Sequence, residues 1–441
     1  MNALGTLQYH LNVTVAGNAF LRWERFQAER ALARPGFWKD PLLAPPLRCA
    51  PRLKELISRH YLVGRYANLG RKVAWVSSGA PVEFLDALGF YLLYPENHAV
   101  LCATRRRTEE LAGVAEDAGY SRDLCSYART DVGSVLSGKT PVGRLPKPDL
   151  LVCCDNICQS VLYWYRVLAH RFRVPLIVID TPFIYSEPDE HAVDYVKRQI
   201  EQAIGVAEEV AGKSLDPKEL EKISRRAKEA AVLWQRALQL SRHKPAPFTA
   251  FDQFIHMAPV VEMRGAEVTL EYYRTLIAEL EEKAKRGEGA VANERIRLLW
   301  DNLPIWPRLR WLQKRLAERG AALVASTYTN AWAELTHLMD PTKPLDSAAR
   351  AYLQPLLNRG TGYKLQVMQG MAKDYGVNGA ILHSDRSCKP YSVGQMDQRE
   401  RLSKEAGIPV MLLEADHADP RSFSEEQVAN RLSAFLEVLE A

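Results

Sequence analysis

Short, nearly continuous apolar runs alternate along much of the chain with segments whose apolar residues recur at helical spacing. Lys72–Ser77 is the first such run. It ends in Ser77-Ser78-Gly79-Ala80-Pro81, and the amphipathic segment Val82–Leu88 follows, which predicts strand, turn and helix. Phe90–Tyr94, Asp149–Cys154 and Pro175–Asp180 repeat the pattern, with helical periods between them. It returns at Arg295–Leu299, Ala322–Ser326, Gly379–His383 and Pro409–Leu413. Runs apolar on both faces predict parallel strands covered by helices on both sides. Between the two sets, segments such as Leu220–Arg226 and Leu276–Arg286 carry charges at helical spacing and predict long solvated helices. The expectation is an α/β protein of two lobes with parallel sheets. Residues 1–70 form an N-terminal helical segment, 71–185 the first α/β lobe, 186–290 a helical connector and 291–441 the second α/β lobe.

Ligands of open parallel sheets bind beyond the carboxyl ends of the strands. The polar loops there are Ser77-Ser78, Cys154–Cys158, Asp180–Phe183, Asp301-Asn302 and Ser384–Cys388, which predicts a site in the cleft between the lobes.

Composition narrows the partners. The chain has 441 residues, enough for more than one core, and its 47% apolar and 25% charged content is that of a globular protein. A net charge of +5 is too small for a dedicated nucleic-acid binder and fits an anionic, phosphate-bearing ligand. No apolar run approaches the roughly 18 residues of a membrane span. The start MNALGTLQYHLNV lacks a basic region followed by a long apolar core. A soluble, cytoplasmic chain is expected. In that compartment seven cysteines are not a disulfide framework; they are buried filler, reactive thiols or metal ligands.

Four cysteines lie in polar loops: Cys125 in Asp123-Leu-Cys-Ser-Tyr127, Cys154 and Cys158 in Cys154-Asp-Asn-Ile-Cys158, and Cys388 in Ser384-Asp-Arg-Ser-Cys-Lys-Pro390. Cys49, Cys102 and Cys153 have undistinguished surroundings. Soft thiolates suit iron–sulfur clusters, and Arg122, Arg386 and Lys389 would offset a cluster's charge. The spacing leaves plain burial and zinc open as well, since Cys154 and Cys158 form a close pair.

Longer words carry a resemblance. Gly79-Ala-Pro-Val-Glu-Phe-Leu-Asp-Ala-Leu-Gly89, Tyr94-Pro-Glu-Asn97, Ala118-Gly-Tyr-Ser-Arg-Asp-Leu-Cys-Ser-Tyr127, Asp155-Asn-Ile-Cys-Gln159, Asp180-Thr-Pro-Phe183 and Asp385-Arg-Ser-Cys-Lys-Pro-Tyr-Ser-Val-Gly-Gln395 resemble the 2-hydroxyacyl-CoA dehydratase / benzoyl-CoA reductase family, in that family's order and from about residue 70 to the C-terminus. The resemblance implies two flavodoxin-like (Rossmann-like) lobes with a [4Fe-4S] cluster between them. It maps the cluster ligands onto Cys125, Cys158 and Cys388 and leaves Cys154 out. It also implies catalytic roles for Ser78 and Glu96 beside the acyl-CoA; the plain alternatives are a helix cap for Ser78 and a first-turn carboxylate for Glu96.

The tail Ser384–Gln395, with Glu414-Ala-Asp416, is closer to the benzoyl-CoA reductase branch, larger substrate-binding subunit. That implies ATP-dependent, two-electron dearomatisation of benzoyl-CoA. Implied partners are a second homologous substrate-binding subunit, ATPase electron-activating subunits with their own cluster, and ferredoxin as donor. Tyr127 is a further proton-donor candidate, and Arg105-Arg106-Arg107, Lys364 and Lys389 are candidate coenzyme A contacts. No G-x4-G-K-[ST] occurs, in keeping with ATP handled by a partner, and no G-x-G-x-x-G follows a strand candidate. The alternatives are a 2-hydroxyacyl-CoA dehydratase subunit, which eliminates water with one recycled electron, and a non-catalytic scaffold subunit without a working cluster.

Overall fold

The computed structural model describes residues 3–440. Each apolar run read from the sequence forms a strand. The first sheet holds β1 (Val73–Val76), β2 (Tyr91–Leu93), β3 (Leu150–Cys154) and β4 (Leu176–Ile179). The second holds β5 (Ile296–Asp301), β6 (Ala321–Ser326), β7 (Gly379–Asp385) and β8 (Val410–Ala415). Both sheets are wholly parallel, in the orders β2-β1-β3-β4 and β6-β5-β7-β8, so the two lobes repeat one topology. Every residue of the central strands β1, β3 and β5 is buried, because helices cover both faces. The edge strands β4 and β8 alternate between buried and part-exposed positions instead.

This topology positions the site. In each sheet the chain runs outward from the first strand, then crosses back to its other side, so the loops after β1 and β3 leave the sheet as neighbours. The loops after β5 and β7 do the same. Gly79 makes the first pair close: a Cβ there would lie 2.4 Å from the Ile157 side chain and 2.6 Å from Asn156 Oδ1.

The lobes are joined by one apolar core. It runs from Trp75 and Leu151 through Trp164, Phe254 and Trp306 to Leu298 and Leu323. The connecting helices carry the exposed charges expected of them, but they are not merely solvated. Pro217–Gln239 and Glu267–Lys285 turn Trp234, Tyr273 and Leu280 inward, where Leu53 and Leu56 of the N-terminal helix Ala50–Tyr66 meet them. The buried pair Arg264–Glu83 (Nε to Oε1, 2.7 Å) ties this layer to the first lobe. Among the described residues no helix is long and apolar enough to cross a membrane.

Candidate functional site

Three thiols stand at helix starts. Cys125 precedes the helix Ser126–Ser137, Cys158 follows β3 and precedes Gln159–Phe172, and Cys388 follows β7 and precedes Lys389–Ser392. Cys158 and Cys388 thus occupy corresponding loops of the two lobes. Cys125 is brought in by its helix, which packs so tightly on the helix Thr108–Asp117 that a Cβ on Gly133 would lie 1.8 Å from the Leu111 carbonyl oxygen.

The structure brings all five candidate site residues, Ser78, Glu96, Cys125, Cys158 and Cys388, to the wall of one cavity of about 200 Å³. Cys125, Cys158 and Cys388 are also the part-exposed cysteines; Cys49, Cys102, Cys153 and Cys154 are buried, and all seven are free. Cys154, in the same Cys154–Cys158 segment, points into the core on the opposite side of the first sheet. The three cavity thiols feel one another. Burial, reinforced by the Cys125 sulfur, pushes the Cys158 thiol up to about 12, and burial, with Asp385, Cys158 and Cys125, pushes Cys388 well up. Cys158 and Cys388, raised in this way, become thiolates only when positive charge compensates them, which a metal centre provides.

The donor set fits a cluster better than a single ion. A tetrahedral zinc site with bonds of about 2.3 Å needs sulfurs roughly 3.8 Å apart. Among the described residues the group of possible ligand atoms lying within 4.8 Å of one another is Asp385, Asp416 and His417, and the three sulfurs spread wider than that. The carboxylate–histidine group is itself committed to the protein. His417 Nδ1 meets Asp385 Oδ2 at 2.6 Å. Asp416 Oδ1 accepts the backbone N–H groups of Ala418 and Asp419 at 2.9 and 2.8 Å, and its Oδ2 accepts the Ser387 hydroxyl at 2.6 Å.

This network stitches the cysteine loops together. His417 Nε2 lies 2.9 Å from Ser126 Oγ and 3.9 Å from Cys125 Sγ, and the Ser126 N–H donates to Ser387 Oγ at 3.2 Å. Burial opposes charge on His417, but the Asp385 and Asp416 carboxylates outweigh it and hold the imidazolium well above the ordinary histidine range. Tyr127 packs edge-on against this ring at 4.2 Å and accepts the Trp306 indole N–H. His417 was not legible as a site residue: one histidine in the polar run after β8 has no spacing signal.

Ser78 and Glu96 line the same cavity. Glu96 sits in the first turn of Pro95–Thr104, where Oε1 accepts the Ser78 N–H at 3.0 Å and Oε2 accepts the Tyr165 hydroxyl at 3.3 Å. Burial pushes its carboxyl up to about 7 despite these donors. Ser78 Oγ is buried with no hydrogen-bond partner among the described residues, an unused donor beside the cavity. The candidate coenzyme A contacts divide. Lys364 is buried against Asp301 at 3.1 Å and is a core ion pair, whereas Lys389 is exposed. Arg386, offered as charge compensation, is exposed and paired with Glu414 at 2.6 Å.

Comparison with known proteins identifies a family and relatives. The family described as 2-hydroxyglutaryl-CoA dehydratase, D-component, matches residues 77–439. The (R)-2-hydroxyisocaproyl-CoA dehydratase alpha subunit of Clostridioides difficile is 36% identical over 88% of this chain and 96% of its own length. The (R)-phenyllactyl-CoA dehydratase alpha subunit of Clostridium sporogenes is 33% identical over 84% and 90%. A benzoyl-CoA reductase subunit of Thauera aromatica is 26% identical over 88% and 93%. These identities reverse the order expected from the Ser384–Gln395 tail and favour the dehydratase branch.

Proposed function

The chain belongs to the 2-hydroxyglutaryl-CoA dehydratase D-component family, and we propose that it is the subunit of a 2-hydroxyacyl-CoA dehydratase that holds a [4Fe-4S] cluster on Cys125, Cys158 and Cys388. The observation that carries this reading is the meeting of these thiols, from loops far apart in sequence, on one cavity wall with Ser78 and Glu96. The reaction removes the 2-hydroxyl and a proton from C3 of the acyl group, giving a 2-enoyl-CoA and water with no net oxidation. When bound, the cluster would supply the single electron that is lent and recovered, with one iron free of cysteine.

The chain's own residues supply positioning and proton handling. Ser78 Oγ is free to donate a hydrogen bond to the thioester carbonyl. Glu96, poised near neutrality, is able to take up or release a proton within the buried cavity. Among the described residues the cavity wall carries Ile157, Val161, Trp164, Leu303, Trp332 and Leu356 and no lysine or arginine, and its cation, the His417 imidazolium, is neutralised by Asp385. That lining suits an uncharged, apolar acyl group, in keeping with the names of the isocaproyl and phenyllactyl relatives.

The partners in this reading are a second homologous subunit and an ATPase activator with its own cluster. Leu7, Leu11, Val15, Phe20, Trp23 and Phe26 on the N-terminal helical segment are each more than half exposed, a face suited to the second subunit. The benzoyl-CoA reductase reading, supported by the word Asp385–Gln395 and the 26% relative, predicts different chemistry. The test assays the anaerobically purified chain with its partner subunits on 2-hydroxyisocaproyl-CoA and on benzoyl-CoA. Release of water with catalytic ATP supports the dehydratase; two-electron reduction of benzoyl-CoA with stoichiometric ATP overturns it.

A further inference from the structure

A separate cavity, of about 350 Å³, lies between the N-terminal helix Ala50–Tyr66, the strand β2 at the edge of the first sheet and the segment Met263–Ala266 of the connector. Among the described residues it shares no lining side chain with the cysteine cavity.

Four arginines line it: Arg52, Arg59, Arg71 and Arg264. Arg264 is committed to Glu83. Arg52 and Arg59 share one buried carboxylate, Glu55, with Arg25, which lies outside the cavity lining; Arg25 Nη1 and Arg52 Nη1 reach Glu55 Oε2 at 2.9 and 2.6 Å, and Arg59 takes Oε1. One carboxylate against three guanidiniums leaves two positive charges in excess. Arg71 donates to the backbone carbonyl oxygens of Gly89 and Phe90, at 3.2 and 3.0 Å. The ionisable groups that could oppose an anion are Asp86 and Glu262. Burial pushes Asp86 up, while the Arg71 charge draws it back down, and burial pushes Glu262 up to about 7.

The lining also carries groups that nothing in the fold satisfies. Arg59 Nε, His60 Nε2 and Glu262 Oε2 are buried with no hydrogen-bond partner among the described residues. Glu262 is 6% exposed, and its other oxygen accepts the Tyr61 hydroxyl at 3.3 Å. Burial pushes His60 down to about 4, so the ring is neutral at neutral pH and keeps one N–H. Buried donors without acceptors lower stability unless a ligand or water completes them. Under an excess of positive charge, the ligand that completes them is an anion made of acceptors. Guanidinium forks match the oxygens of a tetrahedral oxyanion in pairs.

We propose that this cavity is a binding site for an inorganic oxyanion of the phosphate class, held by Arg52, Arg59 and Arg71, with His60 and Glu262 completing the set of contacts. The site lies outside the cysteine cavity and does not depend on the reaction carried out there.

The test titrates the full-length chain calorimetrically with sodium phosphate, against sodium chloride at equal ionic strength. Saturable binding of one phosphate per chain is expected. Arg59→Gln leaves Glu55 paired with Arg25 and Arg52, so the fold is retained, and it should weaken phosphate binding about tenfold or more. Arg25→Gln removes another partner of Glu55 from outside the cavity and should weaken binding less than about threefold. Equal weakening by the two variants overturns the proposal, because Arg59 would then act only through the Glu55 cluster. Phosphate binding that Arg59→Gln leaves unchanged overturns it as well, since the anion would sit elsewhere. A wild-type chain that shows no saturable phosphate binding above the chloride background also overturns it.

Discussion

Glu96→Gln isolates the electrostatics of the cavity. In the folded chain burial pushes the Glu96 carboxyl from the ordinary 4.5 to about 7. A raised carboxyl retains its proton across a window in which the unfolded chain has lost it. Folding therefore takes up a proton there, and stability falls as pH rises through that window. The difference is roughly 2.5 pH units, which at about 1.36 kcal/mol per unit is about 3 kcal/mol, complete once the pH passes the folded value. Glutamine is neutral at every pH and keeps an oxygen for the Ser78 N–H, now 3.0 Å from Oε1. The assay is urea unfolding of wild type and Glu96→Gln at about pH 5 and about pH 8, followed by tryptophan fluorescence. Other raised carboxyls, Glu262 and Glu334 among them, titrate in both proteins and cancel in the comparison. Because part of the window lies below about pH 5, the variant should lose about 2.5 kcal/mol less than wild type between the two pH values. Parallel pH profiles would refute the placement of this carboxyl in a dry cavity.

Arg264→Met leaves Glu83 buried and unpaired and should destabilise the chain by about 3–5 kcal/mol in urea melts; adding Glu83→Gln should recover part of that loss. His417→Gln removes the link from Asp385 to the Cys125 loop, so iron should be lost to a chelator faster than from wild type while far-ultraviolet dichroism stays the same. Gly133→Ala drives a methyl group into the Leu111 carbonyl and should lower the urea midpoint more than Gly113→Ala, whose Cβ meets nothing within 4 Å.

The lobes were legible because buried parallel strands are apolar on both faces, and every such run became a strand. Strand ends were less so. β5 extends to Asp301 and β7 to Asp385 because these carboxylates have buried partners, Lys364 at 3.1 Å and His417 at 2.6 Å, that no local pattern announces. The same blindness made Lys364 look like a phosphate contact. Charged helices such as Glu267–Lys285 reveal only the solvated face, and the depth of the packing around Tyr273 depends on the N-terminal helix that meets it. The site followed the same rule. Spacing could not tell Cys158 from Cys154; the pleat decides it, since Cys154 lies within the strand and faces the far core while Cys158 lies in the loop. Whole words recognisable as a family's supplied what periodicity could not, though one word, Asp385–Gln395, pulled the branch toward the reductase.

Iron and acid-labile sulfide per chain, measured on anaerobically purified protein, test the meeting of the three thiols most directly. Wild type and Cys49→Ala should each carry about four iron and four sulfide. Cys388→Ala should lose most of both while its far-ultraviolet dichroism matches wild type. Undiminished iron in folded Cys388→Ala would contradict the ligand set, and with it the proposed chemistry of the cavity.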